Sequence, residues 1–186
     1  MFKRIIQSFV RRRSEIVTSR IEKYLSKSGK ILDIGSGSGD VTFVIKSRGY
    51  NVTPVDVADF HGPRLVEPVI YDGKKLPFKD KTFDTALLLM VLHHTPNPEL
   101  ILLEAIRVAK ELVIIETSYE SSISKIHTVI ADAIGNLRLE AFWNSYKTDD
   151  KWRELFRKLG LKFADSQKYK DRIFGLPFLH ILYYVN

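Results

Sequence analysis

The chain has 186 residues, 45% of them apolar, no cysteine and a formal net charge of +7. That length and apolar share suit a single folded domain, and the missing cysteines exclude disulfide frameworks, cysteine-based zinc sites and thiolate nucleophiles. No run approaches the roughly twenty apolar residues that cross a bilayer, and the N-terminus lacks the apolar segment of a secretory leader, so a cytoplasmic location is expected.

Residues 1–28 are predicted to form a basic amphipathic helical arm. Residues 1–30 hold nine Lys and Arg against two Glu, while the remainder balances twenty against twenty. Phe2, Ile5, Ile6, Phe9 and Val10 recur at near-helical spacing among Lys3, Arg4, Arg11, Arg12 and Arg13. Such a helix can lie on an anionic membrane or on RNA, or pack on the domain with its charges solvated. Its aromatic and aliphatic content favours lipid over nucleic acid.

Ile31-Leu32-Asp33-Ile34 reads as a buried parallel strand, and Gly35, Gly37 and Gly39 follow at every second position. Glycine permits the turn dihedrals and lets a ligand lie against bare backbone amides at the start of the next helix. A dinucleotide fingerprint needs a sixth-position glycine, where Asp40 stands; a phosphate-cradling loop needs Gly-Lys-Ser/Thr, which is absent. A helix is predicted over 40–48, stopped by Gly49. The β-branched run 51–57 is a second strand with Asp56 near its end, expected to be short and distorted because Pro54 cannot donate to a ladder. Residues 58–68 contain Gly62, Pro63 and Pro68 and are predicted as a loop or single turn.

Val69-Ile70-Tyr71-Asp72-Gly73 is a third strand and its turn. The apolar run from Phe83 to Val91 is a fourth strand covered on both faces, leading into Leu92-His93-His94-Thr95-Pro96. A helix over 97–110 and a strand over 111–117 follow. The connection 118–147 is too long to be idle in a compact domain. Its helical segment 123–134 and the aromatic run Phe142-Trp143-Asn144-Ser145-Tyr146 are predicted as a lid over an apolar acceptor, against the plainer role of closing the core or forming a dimer contact. Thr148 caps a helix over 149–159 that Gly160 ends. Strands over 161–169 and 179–185 are joined through a turn around Gly175 and Pro177.

The pattern Asp33-x-Gly35-x-Gly37-x-Gly39, followed by Asp56, Asp72 and a strand opening Phe83-Asp84, resembles the class I S-adenosylmethionine-dependent methyltransferases, and among them the small-molecule, methyltransferase type 11-like subgroup. The resemblance implies a doubly wound α/β sheet of seven strands in the order 3-2-1-4-5-7-6, strand 7 antiparallel, with helices on both faces, as one domain over 1–186. It implies S-adenosylmethionine as cofactor. Gly35, Ser36, Gly37 and Gly39 would hold its methionine portion with Asp33 helping to orient it, Asp56 would hold its ribose and Asp72 meet its adenine amino group with Gly73 relaxing the turn, while Val57 and Leu89 are further cofactor-binding candidates.

The expected activity is methyl transfer to a small or lipid-like acceptor on oxygen or activated carbon. His93 and His94 are the candidate general bases, because imidazole titrates near neutrality. Packing or a backbone-fixing hydrogen bond is the plainer role for either. Two adjacent histidines without a carboxylate at ligand spacing give no metal site. His61, His127 and His180 receive no role. The alternatives are an RNA methyltransferase recruited by the basic arm, or a non-catalytic cofactor- or partner-binding module that kept the fold.

Overall fold

A computed structural model describes residues 2–57, 65–136, 145–173 and 176–186. In chain order the elements are α1 (Phe2–Ile21), β1 (Lys30–Ile34), α2 (Asp40–Ser47), β2 (Asn51–Asp56), β3 (Val69–Ile70), β4 (Phe83–Leu89), α3 (Pro98–Val108), β5 (Ala109–Ser118), α4 (Ser122–Asn136), α5 (Asp149–Lys158), β6 (Phe163–Ile173) and β7 (Leu176–Val185). Short 3₁₀ turns occupy Glu22–Tyr24 and Leu92–His94. The seven strands form one sheet in the order β3-β2-β1-β4-β5-β7-β6, as the resemblance implies. β1 and β2 pair in parallel, as do β2 and β3, and β6 and β7 pair antiparallel. The residues form two compact units, Met1–Leu87 with Glu104–Val113, and Leu88–Leu103 with Ile114–Asn186.

In the first unit the core is aliphatic. Ile31, Leu32 and Ile34 of β1, Val52 and Val55 of β2, Val44 and Ile45 of α2, and Ala86 and Leu87 of β4 are all buried. The C-terminal half of α1 closes one side, burying Ser14, Val17, Thr18 and Ile21. Arg48, just past α2, ties it down: its guanidinium donates to Glu15 and Glu22, each at 2.6 Å. These paired carboxylates, Glu15 above all, raise the Arg48 pKa further. The C-terminal half of the arm is thus part of the unit, while Arg11, Arg12 and Arg13 are exposed.

β2 is regular, contrary to the distortion expected from Pro54. It pairs with β1 over Lys30↔Asn51 to Ile34↔Val55, with Pro54 opposite Asp33. The reason lies in which edge the proline faces. The Val55 carbonyl is turned toward β1, where it accepts from Gly35 and Ser36. Strand alternation therefore turns the Pro54 nitrogen to the β3 side. There the ladder begins one residue later, at Val55↔Val69, so no bond is forfeited.

The second unit is built on the β6–β7 hairpin and α5. Trp152 and Phe156 of α5 stack with centroids 6.0 Å apart, and Tyr183 of β7 meets Phe156 edge-on at 5.1 Å. Thr148 caps α5, its hydroxyl accepting from the Lys151 N–H, and Gly160 follows the helix with φ 78°. The hairpin strands are longer than the sequence suggested. Pro177 is in β7, paired with Arg172, rather than in a turn. It is tolerated because it is the second residue of the strand, next to the hairpin end. β6 carries exposed Lys168, Lys170 and Arg172 on alternate residues. The helix expected over 123–134 is α4, slightly longer. The first part of the loop expected at 58–68, the aromatic residues 142–144 and the turn at Gly175 lie outside the described residues.

Candidate functional site

The strand-to-helix turn after β1 is closed on the end of β2. Gly35, Gly37 and Gly39 take φ of 74°, 55° and 78°, left-handed values that favour glycine. The N–H groups of Gly35 and Ser36 both donate to the Val55 carbonyl, that of Gly37 donates to Asp56 Oδ2 at 2.7 Å, and that of Gly39 to the Ser36 carbonyl. This corrects the expectation of bare amides waiting for a ligand. The loop's donors are largely spent on holding its own shape, and the glycines serve conformation and close approach instead. A Cβ at Gly39 would come within 2.3 Å of Val66 Cγ2, so that glycine is required by packing. A Cβ at Gly37 would meet nothing within 4 Å, which leaves open space over the turn.

Three carboxylates gather in this unit. Asp33, on β1, is buried, and Thr42 of α2 donates its hydroxyl to Asp33 Oδ2. Burial pushes the Asp33 carboxyl up to about 6; the Thr42 hydrogen bond opposes the shift, and the charge of Asp56 adds to it. Asp56, at the end of β2, accepts from Gly37 through Oδ2 and from Val57 through Oδ1 at 2.7 Å. Each oxygen keeps further lone-pair capacity, since a carboxylate offers about four acceptor sites. Asp72 is exposed, and its Oδ1 accepts from the Lys75 and Lys74 amides at 3.0 and 2.9 Å; those bonds, Lys75's first, hold its pKa below the usual carboxylate range.

The turns after β2 and β3 lie side by side. A Cβ on Gly73 would stand 3.3 Å from Val57 Cγ1, and the Tyr71 N–H donates to the Asp56 carbonyl at 3.0 Å. The Tyr71 phenol is pushed up to about 12 by burial first, then by the charges of Asp56, Asp72 and Glu104. The segment after Asp72 is pinned from α3. Glu104 accepts the Leu76 N–H at 2.7 Å, while Arg107 donates to the carbonyls of Leu76 and Phe78 and to Asp80. Asp33, the glycine turn, Asp56, Val57, Asp72 and Gly73 therefore belong to one neighbourhood of this unit.

The donor set fits an adenosyl sulfonium ligand. Carboxylate oxygens suit ribose hydroxyls and a cationic centre, and Val57, 51% exposed, offers an apolar surface beside them. The Ser36 hydroxyl is buried yet has no hydrogen-bond partner among the described residues, so the turn holds a donor that a ligand could take up.

Leu89, His93 and His94 belong to the second unit. Leu89 ends β4 and is half-buried. Met90 then takes φ 61° and donates its N–H to the Ile115 carbonyl at 2.7 Å, turning the chain into the 3₁₀ segment Leu92–His94. His94 is exposed, whereas His93 is 0% exposed. Its ring lies 4.1 Å from that of His94 and 4.9 Å from that of Tyr146. Its Nδ1 lies 2.5 Å from Oε2 of Glu116, a residue of β5 that is also 0% exposed. Glu116 Oε1 accepts the N–H groups of Val91 at 3.0 Å and Leu92 at 2.7 Å.

Sequence reasoning passed over Glu116. The signal was present: one acid inside Leu112-Val113-Ile114-Ile115-Glu116, an otherwise apolar strand. A carboxylate there must find donors or stay neutral, so it marks a built polar site. Nearby, Ser118 donates to the Lys147 carbonyl and Ser145 to the Thr95 carbonyl, fastening both ends of the 118–147 connection within this unit. Among the described residues no group of His, Asp and Glu could hold a metal ion.

Residues 32–115 match a family model described as "Methyltransferase domain". The chain is 30% identical over 105 residues to demethylmenaquinone methyltransferase of Tropheryma whipplei (strain Twist), an alignment covering 48% of this chain and 42% of that protein. It is 34% identical over 107 residues to squalene methyltransferase 1 of Botryococcus braunii, covering 50% of this chain and 28% of that protein. The chain thus spans less than half the length of these curated relatives. Among solved structures it is similar in fold to magnesium protoporphyrin IX methyltransferase from Synechocystis PCC 6803 with bound SAH, with a TM-score of 0.63 and 17% identity over 94% of this chain and 82% of that one.

Proposed function

We propose, from the match of residues 32–115 to a methyltransferase domain model, that this protein uses S-adenosylmethionine to methylate a lipid-like or other small acceptor on oxygen or activated carbon. The observation that carries the proposal is the Asp56 carboxylate at the end of β2, gripping the Gly37 amide at 2.7 Å with acceptor capacity to spare, beside open space over that glycine. Asp56 would take the two ribose hydroxyls, Val57 and Gly73 would flank the base, Asp72 would accept from its amino group, and Asp33 would face the cationic methionine portion held by Gly35, Ser36, Gly37 and Gly39.

When bound, S-adenosylmethionine supplies a methyl carbon already activated by its sulfonium, the C–S electron pair leaving with sulfur. The chain's part is to position and desolvate the reactants and to take the acceptor's proton. His93 Nε2 is the proton acceptor we favour over exposed His94, because Glu116 already orients the His93 ring. The relatives whose names specify demethylmenaquinone and squalene support a lipid-like acceptor. Exposed Ile123, Ile126 and Ile130 on α4 suit an apolar ligand passing along that helix.

Titration calorimetry with S-adenosylmethionine and with S-adenosylhomocysteine tests the cofactor. Turnover over a panel of short-chain naphthoquinols, phenols and triterpenes then tests the acceptor. Heat and thermal upshift with neither cofactor form would overturn the proposal.

Exposed Arg11, Arg12 and Arg13 of the arm support peripheral contact with anionic membrane, where such an acceptor would reside. Among the described residues no helix is long and apolar enough to cross a membrane. Arg11→Gln with Arg12→Gln removes two exposed charges without touching the buried Val17, Thr18 and Ile21. At about 1 kcal/mol for each basic residue near an anionic surface, binding to phosphatidylserine vesicles should weaken about tenfold or more. Equal cosedimentation of the variant and the parent protein would remove the membrane contact.

A further inference from the structure

The geometry points to Glu116 as the positioning residue that fixes which nitrogen of His93 carries the proton, an inference that rests on His93 being the general base. Glu116 sits near the end of β5, 0% exposed, with an acceptor-only group in its ionised form. Oε1 is held from one side by two amides, Val91 at 3.0 Å and Leu92 at 2.7 Å. These two bonds fix the plane of the carboxylate and aim Oε2 at His93 Nδ1, 2.5 Å away. A nitrogen facing a carboxylate oxygen at that distance must bring the hydrogen. The neutral ring therefore holds its proton on Nδ1 and its lone pair on Nε2.

The same chain segment that supplies the amides also supplies the ring. Val91, Leu92 and His93 are consecutive, so one carboxylate sets both the path of the backbone after β4 and the orientation of the imidazole. Among the described residues, ionisable groups near the pair include His94, with its ring 4.1 Å from that of His93, Tyr146 at 4.9 Å, and Tyr183 of β7. The Tyr183 phenol is raised by burial first and then by the charge and hydrogen bond of Asp149, so it stays protonated. A carboxylate behind the imidazole raises its basicity and stabilises the imidazolium formed when Nε2 takes the acceptor's proton.

Glu116→Gln separates this role from simple packing. The Gln side chain has the same shape, and its oxygen must stay with the two amide donors. Its NH₂ then faces Nδ1, which must become an acceptor, and the ring proton moves to Nε2. A ring with Nε2–H cannot receive another proton there. In ¹⁵N-histidine-labelled full-length protein, with His93 assigned by its loss in His93→Gln, the parent should show a protonated Nδ1 and Glu116→Gln a protonated Nε2. With a short-chain naphthoquinol as acceptor probe, kcat should fall about a hundredfold, with the KM for S-adenosylmethionine unchanged and the acidic limb of the pH profile lost.

The parent spectrum decides the inference even if the variant does not fold. A neutral His93 ring carrying its proton on Nε2 in the parent, or no change in tautomer in Glu116→Gln, overturns the role of Glu116. A changed tautomer with unchanged kcat leaves Glu116 as the positioning residue and removes His93 as the base, so the two failures are distinguishable.

Discussion

Replacing Asp56 with asparagine should weaken S-adenosylhomocysteine binding about a hundredfold, and replacement with alanine should weaken it further. Asp56 has two tasks that a neutral side chain cannot share out. Its carboxylate holds the Gly37 N–H at 2.7 Å and its own neighbour's N–H, from Val57, also at 2.7 Å. In the proposed complex it also accepts from two ribose hydroxyls. Hydrogen bonds to a charged acceptor contribute about 1.5–3 kcal/mol each, roughly twice a neutral bond. Asparagine keeps one oxygen and turns an NH₂ toward groups that are themselves donors. Losing about 3 kcal/mol corresponds to a factor near one hundred. Calorimetry measures it directly. Binding within threefold of the parent protein, in a variant with a native circular dichroism spectrum, would exclude Asp56 from the cofactor site.

Asp33→Asn should give opposite effects on stability and on binding, and both should depend on pH. The buried Asp33 carboxyl titrates at about 6 in the folded chain, against an ordinary value of 3.8. The folded state therefore holds the proton more tightly than the unfolded state. Stability is complete below pH 3.8 and is lost as the pH rises through 6. The loss amounts to about 3 kcal/mol at neutral pH. Asparagine carries no charge to desolvate and can still accept from the Thr42 hydroxyl, so the ligand-free variant should melt some 5–10 °C higher at pH 7.5 and show little gain at pH 4.

Binding runs the other way. A cationic ligand favours the ionised carboxylate, so affinity in the parent should fall about tenfold from pH 7 to pH 5, with proton release on binding in that window. Asp33→Asn should bind more weakly at pH 7 and lose this pH dependence. A melting temperature unchanged at pH 7.5 together with a parent affinity independent of pH would show that Asp33 does not face the ligand's charge.

The sheet was legible because hydrophobic runs and their punctuation repeat the same unit: Ile31 to Ile34, Val52 to Val55 and Phe83 to Leu89 each end in a turn that carries polar groups. Asp33, Asp56 and Asp72 stood out through the family resemblance laid over that periodicity. What was not legible depended on contacts across the sheet. Nothing local says that the Gly35 and Ser36 amides are claimed by Val55, or the Gly37 amide by Asp56, and the loop looked open when it is closed. Pro54 looked disruptive because its missing N–H counts only on the edge it faces, and that edge depends on where β3 begins. Pro177 looked like a turn residue for the same reason, though the ladder accepts it near the strand's start. Glu116 was passed over because the apolar residues around it fix a strand and leave its single acid without an evident partner. Its partners come from a segment about 25 residues earlier in the chain, and only folding brings them together.

The two margins of the sheet solve one problem in different ways. A strand with an open flank is a template on which another chain can polymerise. At one margin β3 is only two residues long, too brief to nucleate a ladder despite exposed Val69 and Ile70. At the other, β6 runs for eleven residues, but Lys168, Lys170 and Arg172 would bring like charges together in any self-pairing. Colloidal behaviour is therefore set partly by these three cations, and replacing all three with threonine should invite fibrous association.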